Sequence, residues 1–106
     1  MLALRFYAPE DVRLEDIPEP ECGPREVKIK VKACSTCGTD VKIKKNGHVN
    51  ITRTTTMGHE IAGEVVEVGA DAQGGFQVGD RVQCIAAVPC GECHECKKGW
   101  MEVCQN

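Results

Sequence analysis

The stretch Cys90-Gly91-Glu92-Cys93-His94-Glu95-Cys96, followed by Cys104, places four cysteines in the spacing C-x2-C-x2-C-x7-C. Two-residue gaps allow a tight turn to bring consecutive sulfur atoms to one point, and the fourth cysteine can close the shell. Four thiolates suit a tetrahedral ion held by sulfur at about 2.3 Å, which is the closed, structural type of zinc site. The sequence therefore predicts a structural zinc site in a lobe that spans residues 89–106.

Besides spare thiols that bind no metal, two other interpretations of the four cysteines stay open. Two disulfides are one, although three evenly spaced cysteines crowd too closely for good disulfide geometry. An iron–sulfur cluster is the other, and it would make the protein a brown electron carrier. The bacterial ferredoxin motif has a shorter last gap and a proline after it, whereas Gln105 follows Cys104 here. The spacing favours zinc.

The bulk composition excludes several classes of protein. With 106 residues the chain is one domain or part of one, and its net charge of −3 argues against nucleic acid as the main partner. The first residues lack the apolar core of a signal peptide, and no stretch approaches the roughly 18 apolar residues of a membrane helix. Eight cysteines without a leader indicate thiols and metal ligands in a reducing compartment. We therefore expect a cytoplasmic protein that binds neither nucleic acid nor membrane.

The pattern of apolar residues predicts a mainly β fold. Val27, Ile29, Val31 and Ala33 alternate with lysines, which indicates a strand with one buried face. Other strands are predicted over residues 2–7, 12–17, 61–68 and 82–86. The alternation over residues 61–68 is imperfect, because Val65 and Val66 cannot both face one side of the strand without a bulge. A short helix is expected over residues 40–45 and a surface loop over residues 48–56, so an all-β barrel or sandwich that carries a metal loop is predicted.

A second group of possible metal ligands lies outside the cysteine lobe. Cys37 falls where the best strand ends and the short helix begins, a position that favours a thiolate. His59 precedes the strand over residues 61–68. One sulfur and one nitrogen are ligand types of a catalytic zinc, but a lone cysteine is more often a small buried residue and a lone histidine at a strand start is more often structural. Cys34 and Cys37 could also form a redox pair, but no βαβ pattern surrounds them, so Cys34 is expected to be a packed thiol. Asp40 is expected to cap the helix.

Four motifs in one order carry a family resemblance: Cys37-Gly38-Thr39-Asp40, Gly58-His59-Glu60, Val78-Gly79-Asp80-Arg81-Val82 and the cysteine lobe. They resemble the N-terminal, GroES-like catalytic region of zinc-dependent medium-chain alcohol dehydrogenases, nearest to the polyol and threonine dehydrogenase branch. The resemblance covers essentially all 106 residues. It implies a GroES-like, partly open barrel with a zinc-binding cysteine lobe, and it assigns residues 1–106 to the N-terminal part of the catalytic domain.

The resemblance also implies roles for particular residues. Cys37 and His59 would ligate a catalytic zinc, and Glu60 would lie beside this ion or act as an exchangeable ligand. Thr39 would hydrogen-bond the substrate hydroxyl and relay its proton. The structural zinc would be held by Cys90, Cys93, Cys96 and Cys104. The implied reaction is the NAD(P)-dependent oxidation of a small alcohol or polyol, with zinc as a Lewis acid on the substrate hydroxyl.

Family enzymes continue past the cysteine lobe into a further zinc ligand, a nucleotide-binding domain and a return segment. This sequence stops two residues after Cys104, so we expect a segment truncated before the Rossmann domain. Such a segment is predicted to be inactive alone, to bind NAD(P) only as part of the full-length enzyme, and to self-associate. The alternative is a stand-alone structural zinc-binding β module, for which Cys37, Thr39, His59 and Glu60 would have no use.

Overall fold

The computed structural model of the chain describes residues 1–86 and 88–105, so Asn106 of the predicted lobe lies outside the described residues. Within them the chain forms six strands, two α-helices and one short 3-10 helix. In chain order these are β1 (Leu2–Ala8), β2 (Asp11–Asp16), β3 (Val27–Ser35), α1 (Gly38–Asn46), β4 (Thr55–Thr56), β5 (Glu60–Val68), β6 (Arg81–Gln83), α2 (His94–Lys97) and the 3-10 helix Met101–Val103. The mainly β prediction is confirmed. No described helix has the length and apolar character needed to cross a membrane.

The strands form two antiparallel sheets of three strands each. One sheet has the order β2-β1-β4 and the other the order β3-β5-β6. The prediction of a loop over residues 48–56 is wrong for Thr55 and Thr56, which pair with Phe6 and Arg5 of β1. A two-residue polar strand carries no periodic signal, and its partner lies about fifty residues earlier in the sequence.

The pairing of β3 with β5 contains the expected bulge. Lys28 pairs with Glu67 and Ile29 pairs with Val65, so Val66 is the extra residue on β5. Val65 is therefore fully buried, whereas Val66 is 40% exposed. The break in alternation at these two adjacent valines thus correctly indicated a bulge.

A second bulge, at Lys32, was not predicted. Val31 pairs with Gly63 and Ala33 with Ala62, so one residue of β3 has no partner between them. Val31 is 53% exposed and Ala33 is also exposed, which contradicts the prediction of a single buried face along this strand. The bulge reverses the faces of the strand, and little of the described chain covers this end of the sheet. Gly63 permits the close approach here, since a Cβ atom on it would lie 2.5 Å from the Lys30 carbonyl oxygen.

The strand predicted over residues 82–86 is shorter than expected. β6 ends at Gln83, and among the described residues one further backbone hydrogen bond, from Cys84 N–H to Ile61 O at 2.9 Å, continues the pairing. Ile85 is 83% exposed and Ala86 is exposed, so the apolar run here does not mark a buried face.

The first sheet fixes both ends of the chain segment that separates the two predicted zinc ligands. At one end, Glu10 N–H donates to Lys44 O at 2.7 Å, which ties the β1–β2 turn to the last turn of α1. At the other end, Met57 N–H donates to Leu4 O at 2.8 Å, two residues before His59. The hairpin therefore holds α1 and the start of β5 near each other.

Candidate metal centres

The first candidate centre is built on the N-terminus of α1. Cys37 is the N-cap residue, and its sulfur accepts a hydrogen bond from Thr39 N–H at 3.3 Å. Asp40 accepts one from Cys37 N–H at 2.9 Å through Oδ2, which completes a capping box. The expected capping role of Asp40 is confirmed. Because Cys37 caps the helix, α1 begins at Gly38 rather than at Asp40.

His59 reaches this helix terminus from the start of the neighbouring strand β5. Ser35 pairs with Glu60 at the end of β3, so His59 lies opposite the chain that leads into Cys37. Its Nε2 atom lies 3.2 Å from Cys37 Sγ, and its Nδ1 atom lies 3.4 Å from Asp40 Oδ1. One ligand atom of each of the three residues lies within 4.8 Å of the others. The two predicted ligands are therefore brought together.

The donor atoms of this cluster fit a zinc ion. Tetrahedral zinc with bonds of about 2.3 Å to sulfur and about 2.0 Å to nitrogen separates these two atoms by about 3.5 Å. The observed separation of 3.2 Å between Cys37 Sγ and His59 Nε2 needs only a small adjustment to match it. Zinc also accepts carboxylate oxygen, but both oxygens of Asp40 already face hydrogen-bond partners. Asp40 is therefore better placed to orient His59 than to bind the ion.

The contact between Asp40 and His59 was missed by the sequence analysis. Asp40 is 8% exposed and is the one charged residue among the described residues that the fold buries. Its position at the start of the predicted helix indicated a cap, and the capping role accounts for only one of its two oxygens. The second contact depends on a pairing between distant strands, which no local pattern reveals.

Thr39 and Glu60 do not belong to the converging cluster. Both side chains are exposed. Glu60 lines an open cavity of about 570 Å³ together with Ser35, His59 and Ala62.

Cys34, expected as a packed thiol, is exposed, although a Cβ atom on the neighbouring Gly58 would lie 2.8 Å from its sulfur. Gly58 has φ +105°, so glycine suits this position for both reasons.

The four cysteines of the lobe form the second candidate centre. The sulfur atoms of Cys90, Cys93, Cys96 and Cys104 all lie within 4.8 Å of one another. Tetrahedral zinc–thiolate bonds separate two sulfurs by about 3.8 Å, and Cys90 Sγ lies 4.0 Å from Cys96 Sγ. The donor set and its spacing thus fit the predicted structural type of site.

Backbone N–H groups of the lobe point toward these sulfur atoms. Cys90 Sγ accepts hydrogen bonds from the N–H groups of Glu92 and Cys93 at 3.4 and 3.3 Å. Cys93 caps α2 and accepts from Cys96 N–H at 3.5 Å, while Cys90 N–H donates to Cys104 Sγ at 3.3 Å. Such donors stabilise thiolates, so the local turns prepare the lobe for a cation.

Burial raises the pKa of the Cys96 thiol to about 12. The side chain is 8% exposed, and in the absence of a cation the neutral thiol is favoured there. A bound zinc ion reverses this preference because a coordinating thiol is deprotonated. Binding at the lobe is therefore expected to release protons and to tighten as pH rises.

The chain is thus a β domain with two antiparallel sheets and two clusters suited to zinc. One is the Cys–His–Asp cluster at a helix N-terminus, and the other is the four-cysteine lobe. Residues 23–106 match the alcohol dehydrogenase GroES-like domain, and the chain belongs to this family. The family and the fold class that the sequence motifs predicted are thereby confirmed.

Individual relatives agree with this assignment. L-Threonine 3-dehydrogenase from Pyrococcus furiosus is 43% identical over 110 residues, which cover 100% of this chain and 31% of that protein. A protein described as a zinc-binding dehydrogenase, from Sinorhizobium meliloti 1021 and bound to NADP, is 32% identical with a TM-score of 0.88, covering 99% of this chain and 30% of that one. For 2R,3R-butanediol dehydrogenase from Bacillus subtilis the identity is 42%, the TM-score 0.70 and the coverage 77% and 26%. The chain thus spans about a third of the length of the relatives it matches or less.

Proposed function

We propose that this chain is the zinc-binding part of the catalytic domain of an NAD(P)-dependent alcohol dehydrogenase. The observation that carries the proposal is the convergence of Cys37, His59 and Asp40, apart from a four-cysteine lobe that could bind an ion by itself. A structural module would need only the lobe. The relative from Sinorhizobium meliloti with NADP bound supports a nicotinamide cofactor, for which the remaining two thirds of such proteins would supply the binding domain.

The residues of the first centre suit the roles that such an enzyme requires. Cys37 and His59 would hold the ion through Sγ and Nε2, and Asp40 would accept the Nδ1–H of His59 and fix its ring. Zinc, when bound, supplies a Lewis acid for the substrate hydroxyl. Thr39 presents an exposed hydroxyl in the first turn of α1, where it could accept and pass on a proton. The carboxylate of Glu60 borders the cavity beside His59 and could exchange with other ligands.

The names of two relatives suggest the kind of substrate. L-Threonine and 2R,3R-butanediol each carry a secondary hydroxyl beside a carbon that bears nitrogen or oxygen. We therefore propose a small secondary alcohol or polyol as the substrate of the complete enzyme. The chain by itself is expected not to reduce NAD or NADP, and addition of the remaining domains should restore this activity.

The metal content per chain tests the proposal. Plasma mass spectrometry on protein purified without chelator should give about two zinc ions per chain, one for each cluster. Cys37→Ala and His59→Ala should each remove one ion, whereas Cys22→Ala, a half-buried cysteine outside both clusters, should keep two. Retention of both ions in Cys37→Ala and His59→Ala would contradict the assignment of the first centre.

The completeness of the cysteine lobe favours a second candidate function, a stand-alone structural zinc-binding module. All four sulfur ligands of the lobe come from residues 90–104, so this centre needs nothing from outside the chain. This candidate predicts about one zinc ion per chain, lost on Cys93→Ala and unaffected by His59→Ala. Iron in place of zinc would contradict both candidates.

A further inference from the structure

The turn that carries His59 crosses from one sheet to the other. Before the turn, Met57 N–H donates to Leu4 O at 2.8 Å in the first sheet, and after it Glu60 begins β5 of the second sheet. Gly58 and His59 lie between these two fixed points and belong to neither sheet. The position of the His59 ring therefore depends on the conformation of two residues that no strand pairing holds.

The sulfur of Cys34 lies against the bend of this turn. Gly58 has φ +105°, so the chain leaves the extended conformation directly before His59. A Cβ atom on Gly58 would lie 2.8 Å from Cys34 Sγ, and apart from the neighbours of Gly58 in the chain no other described atom would lie within 4 Å of it. Among the described residues, Cys34 is thus the side chain that limits where the bend can move on this side.

Cys34 is itself fixed by the second sheet. It pairs with Ile61 in the ladder between β3 and β5, and its thiol faces Ser35 O at 3.7 Å. One rotatable bond separates the sulfur of a cysteine from its backbone, so the ladder leaves this sulfur few positions. The strand therefore provides a fixed surface against which the bend at Gly58 packs.

Cys34 does not belong to the converging ligands of the first centre. That cluster consists of Cys37, Asp40 and His59. The sulfur of Cys37 meets the His59 ring, at 3.2 Å from Nε2, whereas the sulfur of Cys34 meets the residue before His59 in the chain. The contact of Cys34 is therefore one of packing on the turn that carries a ligand.

We propose that Cys34 is a positioning residue for the first centre, because its sulfur sets the bend at Gly58 and thereby the place of His59 Nε2. This inference rests on the proposed function, since it takes the first centre to hold zinc. Groups that orient a ligand change the metal affinity without touching the metal. Position 34 should therefore require a side chain of about the size of cysteine, and position 58 should reject a side chain while the sulfur is present.

The chemical shifts of the His59 ring nitrogens measure zinc binding at this centre alone, because the lobe cluster contains no histidine. Competition with a chelator then gives the affinity. Cys34→Ala removes the sulfur and should weaken binding by about three- to tenfold, less than the roughly 10- to 100-fold typical of a hydrogen-bond partner of a ligand. Cys34→Ser keeps an atom near the place of the sulfur and should retain most of the affinity.

A double-mutant cycle separates this contact from general effects on the fold. Gly58→Ala puts a methyl group against the sulfur and strains the positive φ, so it should weaken zinc binding. In the Gly58→Ala background, Cys34→Ala removes the clash, and its own loss should vanish or become a gain. Cys22→Ala, at a cysteine outside both clusters, is the matched control and should change the affinity little in either background.

The same loss from Cys34→Ala in both backgrounds, or wild-type affinity in Cys34→Ala, would overturn the inference. Equally large losses in Cys34→Ala and Cys34→Ser would also overturn it, because they would identify Cys34 as a ligand. The comparison of these two variants keeps the test decisive if Gly58→Ala does not fold.

A wild-type chain whose His59 signals do not respond to zinc would refute the proposed function. The positioning role is still tested in that case on the metal-free chain. Nuclear Overhauser effects between the His59 ring and the β protons of Cys37 should be present in the wild type, since Nε2 and Sγ lie 3.2 Å apart. They should weaken in Cys34→Ala and persist in Cys34→Ser, and unchanged effects in Cys34→Ala would refute the positioning role.

Discussion

Asp40 links a helix cap to a candidate metal ligand. One of its oxygens accepts from Cys37 N–H, and the other faces Nδ1 of His59 at 3.4 Å. A carboxylate at this distance favours the tautomer with its proton on Nδ1, which would leave Nε2 to face an ion and orient the ring.

Replacement of Asp40 by asparagine should weaken zinc binding at the first centre. Asparagine retains an acceptor for the cap but removes the negative charge beside His59, and loss of such partners typically costs about 10- to 100-fold in metal affinity. Competition with a chelator measures this change. Asp80→Asn is the control, since Asp80 also caps a turn, through Gln77 N–H, but belongs to neither metal cluster. Equal affinities of the two variants would refute the positioning role of Asp40.

Tyr7 provides a second test at the scale of single residues. Its hydroxyl donates to both carboxylate oxygens of Glu15, at 2.9 and 3.0 Å, and the Arg13 guanidinium lies 4.4 Å from its ring centroid. The hydrogen bond to Glu15 raises the pKa of Tyr7 above its ordinary value of 10.0, because the ionised phenol could not donate. Its contribution to stability is therefore present below pH 10 and is lost as pH rises through the raised pKa.

Ultraviolet titration measures this effect directly because Tyr7 is the one tyrosine in the sequence. We expect a midpoint above pH 10 in the wild-type chain and a lower midpoint in Glu15→Gln. Glu10→Gln serves as the control, since Glu10 lies in the same hairpin as Tyr7 but pairs with Lys44 of α1. The same midpoint in Glu15→Gln and wild type would show that the hydrogen bond does not form.

At the scale of elements, the bulge in β5 decides which of two adjacent valines supports the core. Val65 is fully buried, and its N–H donates to Asp80 O at 2.9 Å, which ties β5 to the turn before β6. Val66 points away and is 40% exposed. The side of β5 that faces the core, in the strand that begins at Glu60, thus depends on the position of this bulge.

Val65→Ala should destabilise the chain by about 2 kcal/mol, because it removes two buried methyl groups and leaves a cavity. Val66→Ala removes the same atoms from an exposed position and should cost less than about 0.5 kcal/mol. Denaturant unfolding of the two variants measures the difference. Similar losses in both would indicate that the register of β3 and β5 differs from the one described.

At the scale of the whole molecule, the described chain is less compact than its length suggests. Its radius of gyration is 15.3 Å, whereas a compact domain of this length has about 13 Å. The buried apolar set consists of Ala3, Phe6, Val65 and Cys96. Many larger apolar side chains remain exposed, among them Leu2, Leu4, Leu14, Val31, Val78, Ile85 and Val88.

This exposed apolar surface should cause the chain to self-associate. Leu4 and Leu14 lie directly opposite each other on β1 and β2, at 45% and 64% exposure, so they form a contiguous apolar patch. Sedimentation should show an average mass that rises with protein concentration. The double change Leu4→Lys and Leu14→Lys should reduce this rise, while Lys30→Gln should not. A single monomeric species at high concentration would refute the expectation.

The sequence by itself determined the features that depend on local spacing. The cysteine lobe, the capping role of Asp40 and the bulge at Val65 and Val66 each involve residues within about fifteen positions, and their chemistry is readable from residue type and gap. The strand pattern and the order of the four motifs likewise predicted a mainly β, GroES-like fold, which the family match confirms.

Only the tertiary structure decided which distant residues meet. The contact of Asp40 with His59, the short β4 strand and the second bulge at Lys32 all depend on strands paired across long sequence separations. The end of β6 at Gln83 and the exposure of Val31 depend on what covers each surface. Side-chain type limits what a residue can do, but register and packing decide where it acts, and these are properties of the assembled chain.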